Sequence, residues 1–244
     1  MIESSQSDIY DPAFVKSVFD RCSRTYILFS TVLSFGFTEI WRRQCARSLP
    51  QPDTDDRVCY DLMSGTGEVW PHLLDVHPNT RRIKSVDISD GMYRHALKRL
   101  HRMRAHKIEF ERADILSTDL EPDCADMVIS TFGLKTFNRD QQAQFASLVA
   151  RILKPGGTFS MIEASDPRGW IFRPIYNFHL RRVLPLIERL FLRGATDFKM
   201  IGIYSRNFGS AQNFADDLQQ AGLDVTFAKR FFGFATAVYG RKPS

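Results

Sequence analysis

Residues 61–70 read DLMSGTGEVW: an acidic residue, two apolar ones, then Ser64-Gly65-Thr66-Gly67 running into a helical pattern. The short apolar run VCYDLM at 58–63 suits a strand buried on both faces. Two glycines one residue apart then let the chain turn sharply, bring backbone close to a ligand and open a helix whose first N–H groups are free. The third glycine of a dinucleotide fingerprint is missing, since Glu68, Val69 and Trp70 follow.

Outward from this loop the pattern repeats. IKSVDI (83–88), KIEFERADI (107–115), ADMVISTF (125–132) and TFSMIEA (158–164) read as further strands. The clearest helix lies between the last two, at 139–153, where Phe145, Leu148, Val149, Ile152 and Leu153 share one face; Asn138 takes the N-cap position and KPGG at 154–157 ends it. The end, LDVTFAKRFFGFATAVYGRK (223–242), reads as two strands joined at Phe232 and Gly233, one of them antiparallel to the rest. This alternation predicts an α/β fold: a doubly wound, mostly parallel seven-stranded sheet with one antiparallel strand.

With 244 residues, 43% hydrophobic and 25% charged, the chain suits a single domain over 1–244. Within it we expect an N-terminal segment (11–48) of two helices broken near LSFGF, a core at 55–168, a helical insertion or lid at 169–209, and a C-terminal helix with strands at 210–244. In the insertion Leu180, Val183, Leu184, Ile187, Leu190 and Phe191 form an apolar stripe beside Arg181, Arg182, Arg189 and Arg193, a pattern for core packing, a dimer face or a membrane surface. The start, MIESSQSDIYDP, lacks signal-peptide character, so a soluble, cytoplasmic protein is expected, with peripheral membrane contact and a homodimer as the associations to weigh. Cys22, Cys45, Cys59 and Cys124 are scattered, and no metal site is assigned. The charge is +5, but the basic run YRHALKRLHRMRAHK (93–107) reads as the wet face of a helix, and no nucleic-acid partner is expected.

Asp87 ends the second strand 20 residues beyond Gly67, where a carboxylate in such a sheet reaches a ribose diol. Asp114, closing the third, is placed to accept from an adenine amino group. Asp61, before the loop, disfavours pyrophosphate and tolerates a cation, so the three carboxylates suggest an adenosine bearing a sulfonium.

DLMSGTGEVW, VDISDGM, FERADI, DMVISTFGLKTF and RILKPGGTFSMIEASDP come in the order of the class I S-adenosylmethionine-dependent methyltransferases, with a Rossmann-like fold. VFDRCSRTYILFSTVLSFGFTEIWRR (18–43) further resembles the N-terminal segment of the ubiquinone/menaquinone-biosynthesis C-methyltransferase family. The resemblance implies S-adenosylmethionine as cofactor, with Gly65 and Gly67 at its methionine part, Asp87 on the ribose, Asp114 and Ile115 around the adenine and Ser130 at the methionyl end. Asp61, Ser64, Thr66, Ile88 and Met92 complete the expected cofactor set. The chain departs from the family at Tyr26-Ile27 and Ser30, where Tyr-Asp and Asn are usual, and at Lys135-Thr136, where Arg-Asn is usual.

Methyl transfer from a sulfonium needs alignment and a water-poor pocket more than covalent help. A phenolic acceptor must also lose a proton, and Lys135, Tyr26, His179 and Tyr204 are the candidate bases or phenolate stabilisers, Lys135 being expected at the mouth of the acceptor pocket, where its ammonium would stabilise a phenolate. The expected activity is transfer to carbon of an apolar quinol- or phenol-like small molecule. The alternatives are an O- or N-methyltransferase of secondary metabolism and a non-catalytic scaffold on the same fold.

Overall fold

The structure, a computed structural model, describes residues 8–34, 36–52, 57–103, 107–167, 170–171, 178, 182 and 198–244. Seven strands, β1 (Arg57–Leu62), β2 (Thr80–Asp87), β3 (Ile108–Arg112), β4 (Ala125–Thr131), β5 (Leu153–Ala164), β6 (Asp224–Arg230) and β7 (Ala235–Arg241), form one sheet in the order β3-β2-β1-β4-β5-β7-β6. All neighbours are parallel except β7, which runs antiparallel to both β5 and β6. Strand order reverses between β1 and β4, so the loops leaving their carboxyl ends flank a crevice.

Alternation along the central strands divides the core. Tyr60, Leu62 and Val128 pack with Phe145 and Val149 of α6 (Arg139–Ile152) and Phe214 and Leu218 of α8 (Gln212–Gln220). Cys59, Met127 and Ile129 turn to the other face, against Trp41 and Cys45 of α3 (Phe37–Ser48) and Trp70 and Leu73 of α4 (Trp70–Val76). Burial on both faces explains why these strands read as continuous apolar runs. At the start of α6, Asn138 accepts from Gln141 N–H while the Gln141 side chain accepts from Asn138 N–H, a reciprocal cap.

Before the sheet the chain makes three helices instead of the expected two: α1 (Pro12–Cys22), α2 (Tyr26–Leu33) and α3. Gly36, at φ +80°, supplies the expected break near LSFGF. The extra break follows from hydroxyls: Ser23 Oγ donates to Asp20 O, and both Thr25 N–H and Oγ donate to Cys22 O. Side chains that bond the preceding turn compete with helix propagation. Strand three is also shorter than read, leaving Ala113 and Asp114 in the turn beyond it. Of the insertion expected at 169–209, α7 (Phe198–Phe208) is described. The apolar stripe from Leu180 to Phe191, and His179, lie outside the described residues.

Candidate active site

The crevice at the β1/β4 reversal is a cleft holding about 840 Å³ of space, its open mouth included. Its walls come from the strand ends and from α1. Met63 and Phe132, the first residues beyond β1 and β4, both stand at positive φ, +57° and +65°, and both line it. The two loops press together there: a Cβ on Gly133 would come within 2.6 Å of the Met63 Cβ. Strained backbone of this kind persists only where the surroundings hold it.

Asp87 sits at the centre. Its Oδ2 accepts from Gly65 N–H at 2.7 Å and its Oδ1 from Ser89 N–H at 2.9 Å. Burial pushes its carboxyl up to about 6, against those two bonds and with the Asp20 charge. Ile88, Met92, Ala113, Asp114, Ile115, Leu116 and Phe137 continue the wall on that side. The Asp114 carboxylate accepts from Leu116 N–H and Ser117 Oγ, which fixes the turn that carries it.

The roof is α1, through Pro12, Val15 and Phe19. It is pinned to α5 (Asp90–Met103): Asp20 Oδ1 accepts from Ser89 Oγ and Gly91 N–H, both at 2.7 Å, and the Lys16 ammonium bridges Asp20 and Asp90. Gly91 permits the approach, since a Cβ there would meet Ser23 Oγ at 2.5 Å.

On the β1/β4 side the wall is Tyr26, Arg42, Ser64, Gly65, Glu68, Thr131 and Phe132. Arg42 and Glu68 form an ion pair of 2.6 Å with side chains 4% and 10% exposed, and the Arg42 guanidinium lies 5.2 Å from the Phe132 ring centre. Burial, then the Glu68 charge, raise the Tyr26 phenol above its ordinary value, Arg42 opposing. Tyr26 is therefore an uncharged hydrogen-bonding group at neutral pH.

Of the expected cofactor set, the cleft brings together Ser64, Gly65, Asp87, Ile88, Met92, Asp114 and Ile115. Four residues fall elsewhere. Asp61 is fully buried behind the loop, accepting from Trp70 Nε1 at 2.7 Å, and burial raises its carboxyl to about 8, partly offset by that bond. Gly67 serves the fold: a Cβ there would lie 2.4 Å from the Trp70 ring. The Thr66 and Ser130 side chains are buried away from the cleft, because Ser130 alternates with the strand-end Thr131, which does face it.

Two catalytic candidates are also displaced. Lys135 is not at a pocket mouth; its ammonium is enclosed, donating to Glu163 Oε1 and Phe132 O, both at 2.7 Å. Tyr204 is fully buried and spends its hydroxyl on Ile9 O at 2.6 Å, with burial raising it to about 12. The reading of the sequence passed over Arg42, Glu68, Met63, Thr131 and Phe132. For Arg42 the signal was available: it shares the buried face of α3 with Thr38, Trp41 and Cys45 at helical spacing, a charge on an apolar stripe.

The sequence profile of the ubiE/COQ5 methyltransferase family matches residues 5–242. The chain belongs to this family. A ubiquinone/menaquinone biosynthesis C-methyltransferase UbiE of Geobacter sulfurreducens is 31% identical to it over 232 residues, 93% of this chain and 88% of that protein. A demethylmenaquinone methyltransferase of Lactiplantibacillus plantarum is 26% identical over 230 residues, 93% and 95% of the two chains. Among solved structures, human N-acetylserotonin methyltransferase in complex with S-adenosylmethionine superposes with a TM-score of 0.60 at 20% identity, over 94% of this chain and 60% of the other. The [4+2]-cyclase SpnF superposes at 0.64 and 12%, over 94% and 95%; the fold is shared beyond methyl transfer. As a member of the ubiE/COQ5 family the protein is an S-adenosylmethionine-dependent methyltransferase.

Proposed function

We propose that this methyltransferase places S-adenosylmethionine along the cleft and transfers its methyl group to a ring carbon of an apolar quinol. The observation that carries the acceptor class is the apolar roof and wall of Val15, Phe19, Met63 and Phe132 in the same cleft as Glu68 and Asp87. The names of the Geobacter and Lactiplantibacillus relatives support the same class. Asp87, bonded only through backbone N–H groups, keeps lone pairs for the ribose hydroxyls, and Asp114 stands beside the apolar strip of Ile115 and Leu116 that suits an adenine. The donor supplies an electrophilic methyl group.

The chain's own part is positioning and exclusion of water, which can account for about 7–11 kcal/mol of a barrier. Tyr26, held neutral, orients an acceptor hydroxyl by hydrogen bonding, and Phe19, whose ring meets Tyr26 edge-on at 6.0 Å, closes that corner to solvent. A bilayer-dissolved acceptor also calls for access from a membrane surface. No described helix is long and apolar enough to cross a membrane. Phe231 and Phe232, 47% and 69% exposed and both at positive φ, are the contact we favour; Phe232→Ser should reduce sedimentation with anionic vesicles, and unchanged sedimentation rejects it.

The deciding experiment incubates the enzyme with isotopically labelled S-adenosylmethionine and a panel of reduced demethylated quinols, simple phenols and amines. Label on a ring carbon of a quinol is expected. Label on oxygen or nitrogen, or a preference for amines, overturns the reading.

A further inference from the structure

We infer that Arg42 and Glu68 together form the receptor for the zwitterionic amino-acid end of the methyl donor, Arg42 taking its carboxylate and Glu68 its ammonium. This rests on the cofactor reading of the cleft and extends it to two residues outside the nucleoside part. Arg42 comes from α3 and Glu68 from the end of the glycine loop, and both line the cleft.

The pair is incompletely satisfied as it stands. Arg42 Nε and Glu68 Oε1 are both buried without a hydrogen-bond partner, while the outer Arg42 nitrogens reach Glu68 at 2.6 Å and the exposed Glu39 at 3.6 Å. A buried ion pair is weak support for a fold, and an orphaned polar atom on each partner weakens it further. Two adjacent opposite charges with spare bonding capacity match a ligand group that carries one carboxylate and one ammonium on a single carbon.

Placement agrees. Glu68 follows Gly65 by three residues, and Gly65 N–H holds the Asp87 carboxylate at 2.7 Å. One short loop therefore links the ribose-side anchor to the proposed ammonium anchor. The rival occupant is a phenolate of the acceptor, drawn by Arg42 alone. The Glu68 carboxylate, 2.6 Å from the guanidinium, would repel it, whereas a zwitterion needs both charges.

The test is calorimetric and independent of turnover, using three ligands. S-adenosylhomocysteine keeps both charged groups, decarboxylated S-adenosylmethionine keeps only the ammonium, and 5′-methylthioadenosine keeps neither. Arg42→Met should weaken S-adenosylhomocysteine about 10- to 100-fold, the range for a lost charge-assisted bond, and leave the other two unchanged. Glu68→Gln should weaken both ammonium-bearing ligands and spare 5′-methylthioadenosine, whose retained affinity also reports an intact cleft.

Wild-type protein that binds 5′-methylthioadenosine as tightly as S-adenosylhomocysteine overturns the receptor and leaves the nucleoside reading standing. Failure of all three ligands on wild type defeats the cofactor reading itself. Equal loss of all three in Arg42→Met and in the charge-conserving Arg42→Lys assigns Arg42 to the wall alone and overturns the proposal.

Discussion

Lys135 and Glu163 face each other at 2.7 Å with side chains 3% and 0% exposed. Glu163 Oε2 also accepts from Lys135 N–H, and Lys135 Nζ also donates to Phe132 O, so the pair ties the loop after β4 to the end of β5. Lys135 thus holds the loop that presents Thr131 and Phe132. Lys135→Met strands a buried carboxylate and should cost about 3–5 kcal/mol. Chemical denaturation would measure it, and a loss below about 1 kcal/mol would show the pair to be dispensable. Adding Glu163→Gln should recover part of the loss.

Asp87 should make donor binding pH-dependent. Burial pushes its carboxyl up to about 6, and in the proposed placement of the donor only the ionised form would accept from both ribose hydroxyls. Affinity for S-adenosylhomocysteine should rise with pH through about 6 and then level off, with proton release near the midpoint. Asp87→Ala should cost about 1.5–3 kcal/mol of binding and abolish that slope; a slope surviving in the variant would assign it to another group.

Asp61 acts on stability with a defined sign. Its folded value of about 8 lies above the ordinary 3.8, so across that window the folded chain holds a proton that the unfolded chain has released. Stability contributed at this site therefore falls as pH rises through the window and levels off above about 8. Asp61→Asn keeps an oxygen for Trp70 Nε1 and removes the titration. Wild type should lose ground to the variant on going from acid to alkaline pH; parallel melting curves across the range would defeat the assignment.

Gly67→Ala places a methyl group against the buried Trp70 ring at a residue with φ +71°. Overpacking and left-handed backbone together should cost about 2–4 kcal/mol, read as a lower melting temperature with Trp70 fluorescence shifted. Gly65→Ala, where a Cβ would meet nothing within 4 Å, should cost less stability and more donor affinity.

The central strands were legible because β1 and β4 are buried along nearly their whole length, and Asp87 because strand ends fall at a fixed distance from the glycine loop. Register within a strand was the weak point: Ser130 and Thr131 are equivalent in composition, and only the pleat decides which one faces the cleft. Lys135 misled because a lysine in the loop after β4 suggests the mouth of a pocket, while its partner Glu163 is 28 residues away on another strand. The pairing of Arg42 with Glu68 escaped for the same reason, since two segments 26 residues apart meet only once α3 has packed beside α4.

The roof helix carries a consequence for turnover. Asp87 accepts from Ser89 N–H, and the Ser89 hydroxyl donates to Asp20 of α1, so two hydrogen bonds separate the Asp87 carboxylate from the helix above the cleft. Donor loading on Asp87 should therefore favour the seated helix, and release of the spent donor should follow its lifting. Residence time should then depend on Asp20, Ser89 and Lys16, side chains outside the cleft lining. Asp20→Asn should shorten it in stopped-flow displacement.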